Sequence, residues 1–219
     1  MNLVGLFAYK MGIKSKRSKS DRRIIRDTLV ADASGQMSEE GVLTVVVTVV
    51  KDPVAFGKIK NVFPRSKYEV KFYGSDHETR KRVLSEIVNC DTDVCHITYS
   101  MAKLGVKTTD DRKEHYIRHM REVLDKALTS KTVGVVDMIF DNDIIGKDEE
   151  REFVDMCMKT AKAHNKEAYW IEMVDSGSSP LVSVNDFITG TIARHLRKID
   201  DPDDEIHELY DIIKDKIMN

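Results

Sequence analysis

The run Val133-Gly134-Val135-Val136-Asp137-Met138-Ile139-Phe140 is apolar throughout except at Asp137. Short continuous apolar stretches rich in β-branched residues are characteristic of strands covered on both faces. An ionised carboxylate in such a strand is costly unless a cation, a hydrogen-bond donor or a shifted pKa answers it. This one segment therefore points both to a sheet buried between helices and to a site built on that sheet.

The remaining segments extend the pattern. Ile24–Ala33 reads as a strand, a polar turn follows, and Val42–Val50 reads as a second strand, which together suggest an antiparallel hairpin. A short helical or irregular stretch is expected around Val54–Asn61. Tyr68–Tyr73 alternates and suggests a third strand. Strands at Val94–Met101, Thr132–Phe140 and Ala168–Val174 then alternate with helices at His77–Val88, Asp110–Leu128, Asp148–Ala163 and Pro180–Arg197. A last helix is expected over Asp203–Ile217, with Ile206, Leu209, Ile213 and Ile217 as its apolar stripe. An initial hairpin followed by alternating units predicts an α/β fold, a mixed sheet flanked by helices. The 219 residues divide into a basic arm, residues 1–23, and a single domain, 24–219.

Charge is spread unevenly. Residues 1–26 carry eight of the 35 Lys and Arg but one of the 37 Asp and Glu. A basic arm on an acidic body is an electrostatic handle for a polyanion, and Lys14, Lys16, Arg17, Lys19, Arg22 and Arg23 are the candidate nucleic-acid contacts. A solvated tail, or an arm docking on a second copy of the chain in a homo-oligomer, explains the same charge. No stretch reaches the roughly 20 apolar residues that span a bilayer. The apolar N-terminus has no basic segment before it, which argues against a signal peptide. Cys90, Cys95 and Cys157 are odd in number and lack CxxC spacing, as expected of a reducing, cytoplasmic compartment.

Three carboxylates on separate elements carry the candidate chemistry. Asp32 follows Leu29-Val30-Ala31 near the end of a strand expected to be central. An Asx-turn at the hairpin explains it as well. Asp137 lies inside another strand, where backbone donors could also hold it. Side-chain alternation points Asp137, Ile139 and Asp141 to the same face. Asp141 and Asp143, however, flank Asn142 in a turn and read as solvated, with approach of Asp141 to that face as the alternative. Asp186 lies on the helix after Pro180, on a face with Val182, Gly190 and Ala193. Small residues there allow close approach of the helix to a sheet. Hard divalent cations require such oxygen ligands and room for water. Two such ions about 4 Å apart can activate water and stabilise the leaving oxygen of a phosphodiester. His115 and His119 have i,i+4 spacing without the HExxH pattern, and no P-loop, GxGxxG segment or G-x-S-x-G elbow is present.

The ordered landmarks Asp32-Ala33-Ser34-Gly35, Val42–Val50, Glu69-Val70-Lys71, Val135-Val136-Asp137, Asp175-Ser176 and Asn185-Asp186-Phe187-Ile188-Thr189-Gly190 resemble the uncharacterised domain-of-unknown-function family 3800. The match covers roughly residues 24–197. Ala33 departs from that family's usual Glu, and Asn185 from its usual Ala. The resemblance implies a ribonuclease H-like fold and a Mg²⁺ or Mn²⁺ site made by Asp32, Asp137 and Asp186. Glu69 would be a fourth catalytic carboxylate, and Lys71 a phosphate contact or the partner of an acid. The expected activity is metal-dependent cleavage of nucleic acid. Replacement of the Glu by Ala33 leaves open a non-catalytic nucleic-acid-binding or regulatory protein on the same fold.

Overall fold

The computed structural model describes residues 25–35, 41–64, 69–100, 103, 108–129, 132–142, 145 and 149–218. Five strands form one sheet: β1 (Asp27–Gly35), β2 (Val42–Val50), β3 (Thr92–Ser100), β4 (Val135–Asp141) and β5 (Glu167–Val174). Their spatial order is β3-β2-β1-β4-β5. β2 runs antiparallel to both β1 and β3, whereas β4 runs parallel to both β1 and β5. The expected hairpin and mixed sheet are thus both present, with β1 at the centre. Gly35 ends β1 at φ +145°, where a Cβ would collide with the Val42 carbonyl.

Helices cover both faces. On one side α3 (Thr109–Thr129) and α4 (Glu150–Ala163) bury Tyr116, Met120, Leu124 and Phe153 against Leu29, Val47 and Met138. The opposite face carries α1 (Pro53–Lys58), α2 (His77–Val88), α5 (Pro180–Arg197) and α6 (Ile206–Ile213). There Phe56, Leu84, Phe187, Ile188 and Leu209 pack on Val30 and Val46. The architecture is the α/β fold expected from the sequence, a mixed sheet flanked by helices.

Local chemistry sets the helix starts. The Asp52 carboxylate accepts from the Val54 and Ala55 N–H groups, each at 3.0 Å, with Pro53 in the first helical position. Asp76 caps α2 through the Thr79 N–H at 2.7 Å. Ser179 caps α5, again followed by a proline. α5 then crosses β1 and β2, the two strands nearest its buried stripe.

Two expectations are corrected. Residues 69–76 form a turn, not a third strand. Phe72 is fully buried, its N–H is taken by Asp186 at 2.6 Å and its carbonyl by Arg80 Nε at 2.9 Å. Side chains therefore satisfy the backbone groups that a neighbouring strand would otherwise pair. The last helix stops at Ile213. A 3₁₀ turn, Lys214–Lys216, follows, and Ile217 and Met218 then run along the outer edge of β3, with the Met218 N–H donating to Val94 O at 2.8 Å. No helix among the described residues is long and apolar enough to cross a membrane.

Candidate active site

Asp32 lies towards the carboxyl end of the central strand, on the face covered by α5, and is 5% exposed. Its carboxylate accepts from the Ala33 N–H at 2.7 Å. Burial raises its pKa well above the ordinary 3.8, and the neighbouring Asp186 and Asp141 carboxylates raise it further. Donation from the Ala33 N–H, with the polar Thr189 side chain nearby, opposes this without cancelling it.

Asp141 reaches this neighbourhood through sheet register. β1 and β4 run parallel with Ala31 paired to Phe140, so the next residue along each strand is Asp32 and Asp141. Asp141 is 9% exposed and accepts from the Asn142 N–H at 2.9 Å. Asp186 arrives from α5, its Oδ2 fixed by the Phe72 N–H. Thr189, three residues further along the helix, falls on the same side as Asp186 and lies near Asp32, its hydroxyl donating to the Asn185 carbonyl at 3.1 Å.

Asp137 is not part of this group. It pairs in register with Thr28, four residues before Asp32 and four before Asp141, which is about 13 Å along a strand. Its Oδ1 lies 3.8 Å from Arg26 Nη1, and Trp170 stands opposite it on β5. From sequence, Asp137 is expected to join Asp32, and Asp141 to lie solvated in a turn; in the structure Asp141 is the residue level with Asp32, and it is buried. Alternation places both on one face, but only the β1–β4 register decides which lies level with Asp32.

Glu69 is positioned by the turn before α2. Its Oε2 lies 3.6 Å from Lys71 Nζ, and its carboxyl group lies against Gly177. The two residues form one wall of an open cleft of 440 Å³ that is also lined by Ser75, Asp76 and Thr79. Lys71 therefore pairs with an acid, one of the two roles expected for it. Lys14, Lys16, Arg17, Lys19, Arg22 and Arg23 lie outside the described residues.

Among the described residues, no three His, Cys, Asp or Glu side chains are placed so that they could hold a metal ion by themselves. The donor chemistry at Asp32, Asp141 and Asp186 is nevertheless that of a hard cation: carboxylate oxygens only, with one carboxyl buried beside two like charges. Mg²⁺ is commonly held by one or two carboxylates with water and substrate phosphate completing its shell, so three converging side chains are not required. Thr189 was missed in the sequence because a threonine inside an apolar helix carries no distinctive pattern. Asp141 had a usable signal in its place at the carboxyl end of a parallel strand, where sites of open α/β sheets collect.

No family model matches the chain, and no curated protein does; the family resemblance drawn from the sequence has no such match behind it. Solved structures are similar at the level of fold. A chain of the PCNA:RNase HII complex from Archaeoglobus fulgidus is 17% identical, with 86% of this chain and 87% of that one covered and a TM-score of 0.48. Bst-RNase HIII in complex with Mn²⁺ is 14% identical, and a mutant protein of the same enzyme 15%, each with a TM-score of 0.46. Both alignments cover 78% of this chain but only 53% and 52% of the RNase HIII chains, so the chain spans about half of their length.

Proposed function

We propose that the chain is a metal-dependent phosphodiesterase, a nuclease, with Asp32, Asp141 and Asp186 as its acidic centre. The observation that carries this reading is Asp32: a buried carboxyl group whose proton affinity is raised by burial and by two neighbouring acids. Such a group ionises comfortably only when a cation answers it. Bound there, Mg²⁺ or Mn²⁺ would polarise a phosphoryl oxygen and lower the pKa of water for attack on phosphorus.

The chain's own groups set the frame for that chemistry. Asp32 and Asp141 present oxygens from adjacent parallel strands in the middle of the sheet. The Ala33 N–H orients Asp32, and the Phe72 N–H orients Asp186. The basic arm, with Lys14, Lys16, Arg17, Lys19, Arg22 and Arg23, would draw a polyanion to an otherwise acidic body.

Cleavage of single-stranded, double-stranded and hybrid substrates in Mg²⁺, Mn²⁺ or chelator tests this assignment. Asp32→Asn and Asp141→Asn are expected to lose metal-dependent cleavage by about a hundredfold or more, while Asp137→Asn retains it. Cleavage that survives Asp141→Asn but disappears in Asp137→Asn would overturn the assignment. A second reading, a nucleic-acid-binding protein without cleavage, is favoured by Ala33, which puts a methyl group where the resembled family has its usual Glu. It predicts binding without turnover under every metal condition.

A further inference from the structure

Beyond the acidic centre, several cations among the described residues meet neutral partners. Lys60, Lys166 and Lys216 each donate to a backbone carbonyl, and Arg197 is the one that also meets a hydroxyl near the face of Asp32. Arg197, exposed at the end of α5, donates from Nε to the Ala193 carbonyl at 3.1 Å and from Nη2 to the Tyr73 hydroxyl. Its guanidinium carbon lies 5.6 Å from the Tyr73 ring centroid. Neither partner is a carboxylate. Arg194 and Lys198, close to it in sequence, instead pair with Asp204. The Tyr73 hydroxyl also lies 3.3 Å from Ser34 Oγ. Ser34 is two residues beyond Asp32 on β1, so it shares that residue's face at a spacing of about 7 Å. Tyr73 is 52% exposed and adjoins Phe72, whose N–H holds Asp186.

We infer that Arg197, Tyr73 and Ser34 form a binding subsite for a backbone phosphate of the nucleic acid, next to the phosphodiester held at Asp32. This deepens the nuclease reading and rests on it. A guanidinium with its orientation already set loses little freedom on meeting a phosphate and offers two parallel N–H donors. The two hydroxyls, bonded to each other, leave one neutral donor beside it. The subsite supplies positive charge at the rim of an acidic centre that would otherwise repel a polyanion. Arg197 is a positioning residue and takes no part in bond cleavage.

The test measures binding of labelled single-stranded and duplex oligonucleotides by anisotropy in chelator, so that cleavage plays no part, across a range of salt concentrations. Arg197→Ala is expected to weaken binding about tenfold and to lower the salt slope by about one. Arg197→Lys should keep the slope while losing part of the affinity. Tyr73→Phe should lose less affinity, again with the slope kept. In cleavage assays Arg197→Ala should raise KM with kcat little changed. Thermal melts of each variant establish that the fold is retained. Unchanged affinity and slope in Arg197→Ala, with a wild-type protein that cleaves, would overturn the subsite and leave the nuclease reading standing. A wild-type protein that neither binds nor cleaves any of the substrates would overturn both.

Discussion

Gly190 and Phe72 occupy one volume: a Cβ at Gly190 would overlap the Phe72 ring at Cδ1 and Cγ and stand 2.8 Å from its Cβ. The glycine is what lets the turn 69–76 lie against α5, and that turn brings the Phe72 N–H to Asp186. Gly190→Ala is therefore expected to push Phe72 out of its pocket, costing about 1–3 kcal/mol of stability, and to release Asp186. Denaturant melts and cleavage assays check both effects. Pairing Gly190→Ala with Phe72→Leu, which frees ring volume, should recover part of each loss. A Gly190→Ala protein as stable as wild type would show that the turn can move away without cost.

Asp32 predicts a pH dependence of stability. Burial, then Asp186 and Asp141, hold its folded pKa well above 3.8. The folded protein keeps this proton at pH values where the unfolded chain has lost it. The stability it contributes is complete below about pH 3.8 and is lost as pH rises through the folded value. Asp32→Asn removes the ionisation, so the variant should melt above wild type at neutral and alkaline pH, with the gap closing on acidification. Added Mg²⁺ should raise the wild-type Tm at neutral pH and leave Asp32→Asn almost unmoved. A wild-type protein more stable than Asp32→Asn throughout would contradict the assigned environment.

Much of the frame behind these effects could be read from the chain. The Val42–Val50 strand has the same bounds in sequence and structure, and the helix expected after Pro180 starts at that proline, because continuous β-branched residues and a Ser-Pro start are strong local signals. Tyr68–Tyr73 misled for a physical reason. Its alternation is real, but Phe72 is buried by Gly190 and Phe187 on α5, and β3 already occupies the edge of β2. The acidic face of β4 was legible by alternation, whereas the choice between Asp137 and Asp141 depends on inter-strand register, which no local pattern contains. Thr189 and the Tyr73–Arg197 contact arise from α5 lying across the sheet, and each joins residues far apart in sequence.

Asn185 adjoins Asp186 and is completely buried, with Oδ1 accepting from the Thr48 hydroxyl at 2.6 Å. Asn185→Ala, the residue expected from the family resemblance, would leave the Thr48 hydroxyl without its acceptor. The expected loss is about 1–3 kcal/mol. Thr48→Val on its own strands the Asn185 carbonyl oxygen and should cost a similar amount. The double variant removes both polar groups, so its loss should fall well short of the sum of the two single losses. Additive losses in a double-mutant cycle would mean that the pair does not act as a unit.

His119 gives the fold a sensitivity to acid on the side away from the carboxylates. It is fully buried on α3, stacked on Tyr99 with ring centroids 3.3 Å apart. Burial drives its pKa down to about 4; Arg118 and His115 add to the fall, while Glu122 opposes it. The unfolded chain takes up a proton near the ordinary 6.5, well before the folded protein does. The stability held above pH 6.5 is therefore lost progressively as pH falls towards about 4. The loss from this residue reaches up to about 3 kcal/mol. His119→Phe keeps an aromatic ring against Tyr99 and cannot be protonated. Its unfolding free energy should fall less steeply than that of wild type between these two pH values, when both are measured by urea denaturation. Parallel curves would show that His119 is protonated in the folded state as readily as in the unfolded chain.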